Sequence, residues 1–119
     1  MNSCINEDIE TDPAKSIIGK WELTQSGNWP NMMATTATGY TEFCSDSVIR
    51  FFDYKLKKFT SIGGYSIADS VLFFSQIRED NYEIITKYKY EFLSKNKELR
   101  IDNIDLLAIF NTAIYRRIE

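Results

Sequence analysis

Histidine is absent from this chain of 119 residues. Without it, one copy of the chain cannot form a Ser-His-Asp or Cys-His catalytic site, and the commonest transition-metal ligand is missing. The two cysteines are too few for a cysteine-rich zinc site. No phosphate-binding Gly-x-x-x-x-Gly-Lys-Ser/Thr motif occurs either. We therefore predict that the protein is not an enzyme and that it uses no metal or other cofactor.

The chain also lacks a surplus of basic residues. Its net charge is −3, from 14 Lys and Arg against 17 Asp and Glu. The whole imbalance lies in residues 1–15, which hold four acidic residues and one lysine, whereas residues 16–119 are neutral. A neutral body does not offer the positive surface that nucleic-acid phosphates require. The sequence therefore predicts no nucleic-acid partner.

No run of 18 apolar residues is present, so the sequence predicts no transmembrane helix. Residues 1–15 are polar and aperiodic, and we predict a disordered acidic tail followed by one domain over residues 16–119. Cys4, near the start of this tail, would be the attachment site if the protein is lipid-anchored. That hypothesis predicts a periplasmic or outer-membrane-anchored location. An ordinary disordered terminus explains the tail equally well and leaves secretion or a cytoplasmic location open.

Aromatic residues, in contrast, are abundant at 14%, and they follow a period of two. The clearest case is residues 82–92, YEIITKYKYEF, where aromatic and apolar side chains alternate with charged ones. One buried and one wet face are typical of antiparallel strands. Similar patterns predict strands at 19–25, 39–44, 47–53, 57–69, 70–77, 98–102 and 111–119.

About eight short strands with mostly tight turns form a meander, which most economically closes into a barrel because closure removes the exposed edges. We therefore predict an all-β, eight-stranded, antiparallel up-and-down barrel. Gly63-Gly64, inside a long strand pattern, predicts a bulge or bend. Residues 29–38 are predicted to be a loop. Residues 103–110 are predicted to be a helical turn or loop, with a strand as the alternative.

Two short motifs at the ends of this meander suggest a family. Gly19-Lys20-Trp21 lies at the head of the first strand, and residues 115–118, YRRI, lie in the last one. The chain resembles the lipocalins, and more narrowly the short lipocalin-like (calycin-type) domains of small exported or lipid-anchored proteins from gut Bacteroides-type bacteria. The resemblance covers roughly residues 17–118. The sequence differs from full-length lipocalins in that the pattern of their long C-terminal helix is missing.

The resemblance implies roles for individual residues. Gly19 and Trp21 would form the closed end of the barrel, where the tryptophan acts as a plug. Arg117, or alternatively Arg116, would pack across the indole ring. Cys44, which lies in an apolar stretch, is independently predicted to be a buried free thiol.

The resemblance and the aromatic interior together predict a monomer that binds a small hydrophobic or amphipathic molecule. The side chains predicted to contact that ligand are Tyr40, Phe73, Tyr88, Tyr90 and Phe92 inside the barrel, with Trp29 and Met33 at its mouth. The alternative is a packed barrel that serves as a protein-interaction or structural module. An interior cavity above about 300 Å³ would favour the ligand. A solid core with an exposed apolar patch would favour the module.

Overall fold

The structure, a computed structural model, describes residues 11–77, 79–104 and 111–118. Within these ranges a helical turn, α1 (Pro13–Ser16), precedes nine strands. The strands are β1 (Gly19–Asn28), β2 (Asn31–Ala34), β3 (Gly39–Phe43), β4 (Val48–Asp53), β5 (Lys58–Ala68), β6 (Val71–Ile77), β7 (Glu83–Leu93), β8 (Glu98–Asn103) and β9 (Thr112–Arg117). None of the described helical segments is long and apolar enough to cross a membrane.

Eight of the strands form a closed antiparallel barrel. From β3 to β9 each strand pairs with the next along the chain, and β1 pairs with both β3 and β9. The order confirms the predicted all-β, up-and-down meander. Because β9 pairs with β1, both potential edges of the sheet are hydrogen-bonded, and the inward-facing side chains are enclosed on all sides.

β2 is an additional strand that the sequence does not predict. Residues 29–38 are predicted as a loop, but Asn31–Ala34 pair with the second half of β1 as a hairpin. The two backbones approach closely at Gly27, where an added Cβ would lie 2.3 Å from the carbonyl oxygen of Asn31. The NMMA segment is four residues long and mostly exposed, so it carries no alternation that would identify a strand.

The double glycine Gly63-Gly64 does not form the predicted bulge. The register of the β4–β5 pair shifts between Phe51 and Phe52 instead, away from the glycines. Glycine is required at position 63 because the neighbouring strand is close. A Cβ on Gly63 would lie 2.6 Å from the carbonyl oxygen of Ser75.

A short helical turn, α1, lies at the predicted junction between tail and domain. Asp12 caps α1 by accepting a hydrogen bond from the backbone N–H of Ala14 at 3.0 Å, and Pro13 occupies the start of the turn. The predictions for Cys4 and for most of residues 103–110 fall on residues 1–10 and 105–110, outside the described residues.

Trp21 closes one end of the barrel. It is fully buried together with Ile17, and its Nε1 donates a hydrogen bond to the Ile17 carbonyl oxygen at 2.9 Å. Gly19, two residues earlier, has a φ of +138°, which L side chains rarely adopt. The glycine therefore lets the backbone leave α1 and enter β1 with the indole pointing inward.

Arg117 lies on the indole at this closed end. Its guanidinium is 4.2 Å from the centre of the Trp21 ring, a geometry worth about 0.5–2 kcal/mol. The same group donates hydrogen bonds to the backbone carbonyl oxygens of Ser16, Ile18 and Asn96. The neighbouring Arg116 instead faces outward and bonds to Glu22 at 2.9 Å. Arg117, not Arg116, is therefore the arginine that packs on the Trp21 ring.

The two adjacent arginines provide a matched test of this end. Arg117→Gln should lower the free energy of unfolding by about 2–3 kcal/mol, because three carbonyl groups lose a charged donor. Arg116→Gln should cost less than about 1 kcal/mol, because it removes an exposed ion pair. Urea denaturation of both variants measures the difference. Equal losses would show that Arg117 does not hold the closed end together.

Candidate functional site

A cavity of about 250 Å³ lies inside the barrel, beside the buried core cluster that contains Trp21. Three members of that cluster, Phe43, Leu99 and Ile101, form part of the cavity wall. The other inward-facing residues of the wall are Thr41, Ile49, Phe51, Ser61, Gly63, Phe74, Gln76, Ile84, Thr86, Tyr88 and Tyr115. The volume is somewhat below the 300 Å³ or so that would favour a ligand by size alone, so the case for a ligand depends on the chemistry of the wall.

The cavity exists because large inward side chains have small neighbours on the adjacent strand. Phe51 of β4 pairs with Ser61 of β5, and Ile49 pairs with Gly63. In the same way, Phe74 of β6 pairs with Thr86 of β7. An eight-stranded barrel has an interior just wide enough to be filled by side chains. Small residues at these positions therefore leave space that larger ones would occupy.

Two tyrosine hydroxyl groups belong to the cavity wall, those of Tyr88 on β7 and Tyr115 on β9. Neither hydroxyl has a hydrogen-bond partner among the described residues, and neither is sealed off from the cavity. In contrast, the Gln76 amide is engaged, since it donates to the Ser61 hydroxyl at 3.3 Å. The tyrosine hydroxyls thus remain available to a ligand.

Burial extends the pH range over which these tyrosines stay protonated. Desolvation, assisted by the nearby Tyr88, raises the pKa of Tyr115 to about 12. Desolvation also raises the pKa of Tyr88. Both phenols therefore stay protonated at neutral pH and can donate hydrogen bonds.

The cavity contains no free charge from the described part of the chain. Of the described residues in its wall, Arg50 alone has a charged side chain. Its guanidinium is engaged elsewhere, 2.8 Å from a Glu42 carboxylate oxygen and 4.0 Å from the centre of the Phe59 ring. The interior surface is therefore aromatic and hydroxylated, and close to electrically neutral.

Three of the predicted ligand contacts face the interior. Tyr88 lines the cavity. Tyr90 and Phe92 also point inward, but they pack against the core cluster, with their ring centroids 5.8 Å apart. They fill the barrel beside the cavity and do not form part of its wall.

Phe73 and Tyr40 lie on the outer face and do not line the cavity. Phe73 alternates with the inward-facing Leu72 and Phe74, and it pairs with Lys87. Tyr40 likewise precedes the inward-facing Thr41, and its ring stacks on that of Phe52 with the ring centroids 5.1 Å apart. Their orientation was hard to predict because β3 and β6 carry apolar side chains on their two faces, so a period of two does not identify the inner face.

Trp29 and Met33 lie on the β1–β2 hairpin and are also absent from the cavity wall. Their side chains are 52% and 58% exposed. The guanidinium of Arg100, an outward-facing residue of β8, lies 4.0 Å from the centre of the Trp29 ring. The structure therefore places Trp29 against the outside of the barrel.

Tyr115 and the small polar residues of the wall were not among the predicted contacts. One signal was available for Thr86, which is the single threonine on the aromatic and apolar face of the 82–92 pattern. The inward orientation of Tyr115 was harder to predict, because the segment YRRI is too short for its alternation to distinguish the inner face from the outer face. Its inward orientation follows from pairing with Leu23 and Leu99, which requires the tertiary fold.

Other candidate chemistry is limited. Cys44 is a free, half-buried thiol, and desolvation raises its pKa, which disfavours the reactive thiolate. The described residues contain no group of three or more Cys, Asp or Glu side chains placed to hold a metal ion.

No protein-family model matches the chain, and no curated protein gives a significant match. The function must therefore be inferred from the geometry of the cavity and from the surface around it.

The raised pKa of Tyr115 predicts a loss of stability at alkaline pH. Because the folded-state pKa of about 12 exceeds the unfolded value near 10, the protonated phenol favours the folded state below pH 10, and this contribution is lost as the pH rises towards 12. At pH 11 the loss should be about 1 kcal/mol. Urea denaturation between pH 8 and pH 11 should show a smaller decline for Tyr115→Phe than for the unmodified protein. If the free energy of unfolding declines equally with pH in the variant and in the unmodified protein, the Tyr115 hydroxyl is not desolvated.

Proposed function

We propose that the protein is a non-enzymatic, lipocalin-like barrel that binds a small hydrophobic or amphipathic molecule in its interior. The supporting observation is the cavity of about 250 Å³, whose wall combines aromatic rings with the hydroxyl groups of Tyr88 and Tyr115. Transfer of apolar surface into a preformed cavity would supply most of the affinity, and the hydroxyls would orient the ligand.

The closed end supports the lipocalin-like part of this proposal. A buried first-strand tryptophan beneath a last-strand arginine is the arrangement that the family resemblance implies, and Trp21 and Arg117 have that geometry. Binding is favoured over catalysis because phenols with raised pKa values are poor general bases at neutral pH. Export and a lipid on Cys4 belong to the same proposal and depend on the composition of the tail alone.

Native mass spectrometry of the protein purified from its own host tests ligand binding. We expect a discrete adduct of a small molecule, because a preformed aromatic cavity retains an apolar ligand during purification. Thr86→Phe should abolish the adduct by filling the cavity, whereas Lys87→Phe, one residue away on the outer face, should retain it. A ligand-free mass in repeated preparations of the unmodified protein would overturn the proposal. The same spectra would reveal a lipid on Cys4.

A second candidate function is binding to a protein partner through the outside of the barrel. Ile62, Ile77 and Ile85, on the adjacent strands β5, β6 and β7, are 66%, 72% and 54% exposed. They share the outer face, since they alternate with the inward-facing Gly63, Gln76 and Ile84. Several exposed isoleucines on one face favour an interaction surface. This patch corresponds to the interaction module that the sequence left as the alternative.

Site-specific photo-cross-linking tests this alternative. A photoreactive amino acid at position 77 should give a discrete adduct with a partner in the host cell, because Ile77 is the most exposed residue of the patch. The same substitution at Glu91, an outward position on β7 away from the patch, is the control and should give none. Failure to form an adduct at 62, 77 and 85 alike would exclude the patch as a contact surface.

A further inference from the structure

We infer that the ligand of the cavity is a compact, uncharged ring compound whose hydrogen-bond acceptor is held by the Tyr115 hydroxyl. This inference rests on the proposed function and specifies the chemical class of the ligand. Three independent features of the cavity support it: its volume, its lack of charge and its unused donors.

The volume restricts the ligand to one or two rings. An apolar cavity of about 150 Å³ holds a benzene molecule, so a cavity of about 250 Å³ suits a substituted ring or a fused pair. Aromatic rings of the wall offer faces and edges to such a ligand, and the Phe74 and Tyr88 rings are tilted by 49° with centroids 4.9 Å apart. A flexible chain of equal volume would lose more conformational freedom on binding than a rigid ring does.

The lack of charge restricts the ligand to neutral molecules. An ionised carboxylate or ammonium group inside the cavity would lose its hydration. The described wall residues offer no opposite charge in return, since Arg50 is bonded to Glu42 and lies on Phe59 outside the cavity. The desolvation cost of a charge would therefore exceed what one or two phenol hydrogen bonds restore.

The unused donors require an acceptor on the ligand. The Tyr115 hydroxyl lacks a protein partner among the described residues, and its pKa of about 12 keeps it protonated. A phenol in such surroundings gains most from a ligand oxygen such as a ketone or ether. Tyr88, on the same wall, offers a second donor. An acceptor-bearing ring compound satisfies the volume, the neutrality and the donors together.

Matched two-ring probes test the inference with the full chain. They are 2-acetylnaphthalene, which is neutral with an acceptor, 2-ethylnaphthalene, which is neutral without one, and 2-naphthoate, which is charged. Fluorescence titration should show the acetyl compound binding about two- to tenfold more tightly than the ethyl compound, the effect of one net hydrogen bond. The naphthoate should bind more weakly than either. Acetophenone, ethylbenzene and benzoate repeat the comparison with one ring.

Two tyrosine variants assign the effect to a residue. Tyr115→Phe should abolish the preference for the acetyl over the ethyl compound and leave the affinity for the ethyl compound unchanged. Tyr90→Phe, which removes a hydroxyl outside the cavity wall, should preserve the preference. Tightest binding by the charged probes, or a preference that survives Tyr115→Phe, would overturn this inference while leaving cavity binding intact. No binding by any of the six probes at millimolar concentration would overturn the proposed function itself.

Discussion

The contact between Arg117 and Trp21 connects the last strand to the first at the part of the barrel whose interior is filled by side chains. One guanidinium lies on the indole and bonds to carbonyl oxygens from three separate segments, the end of α1, the entry to β1 and the β7–β8 connection. The charge of the guanidinium strengthens each of these hydrogen bonds. Desolvation lowers the pKa of Arg117, a sign that the charge is held in a partly dry site. The group thus adds side-chain contacts to the backbone pairing of β9 with β1 that closes the sheet.

The interior of the barrel has two parts, one filled by the core cluster and one that contains the cavity. The core cluster of Ile17, Trp21 and Leu72 leaves no room for a ligand. Around the cavity the chain uses serine, glycine and threonine opposite phenylalanine and isoleucine, so the rings have space beside them. The interior of an eight-stranded barrel is only wide enough to be filled by its own side chains or to hold one small ligand. The few small residues therefore determine the cavity as directly as the aromatic residues do.

The sequence predicts the strands well and the faces of the strands less well. In β7 charged residues alternate with aromatic ones from Lys87 to Phe92, so both the strand and the inner position of Tyr88 follow from the pattern. In β3 the pattern is ambiguous, because Tyr40 belongs to an outer cluster with Phe52, Tyr54 and Phe59. That cluster packs against side chains from non-adjacent parts of the chain; for example, the Tyr54 hydroxyl donates to Glu22. Such contacts form only once β1 and β4 are in place, so local periodicity does not reveal them.

The ligand cavity and the isoleucine patch use opposite faces of the same strands, and this geometry separates the two candidate functions. Along β6, Gln76 faces the cavity and Ile77 faces solvent, and along β7 the same holds for Ile84 and Ile85. A ligand inside the barrel therefore leaves the patch uncovered, and a partner on the patch leaves the Tyr115 hydroxyl free. If the proposed ligand binds inside, its selectivity would depend on the cavity volume and on the Tyr115 hydroxyl as a hydrogen-bond donor. If a protein partner binds the isoleucine patch, its selectivity would depend on the apolar area that the two surfaces bury. The two surfaces differ in chemistry, so one protein can carry both without conflict.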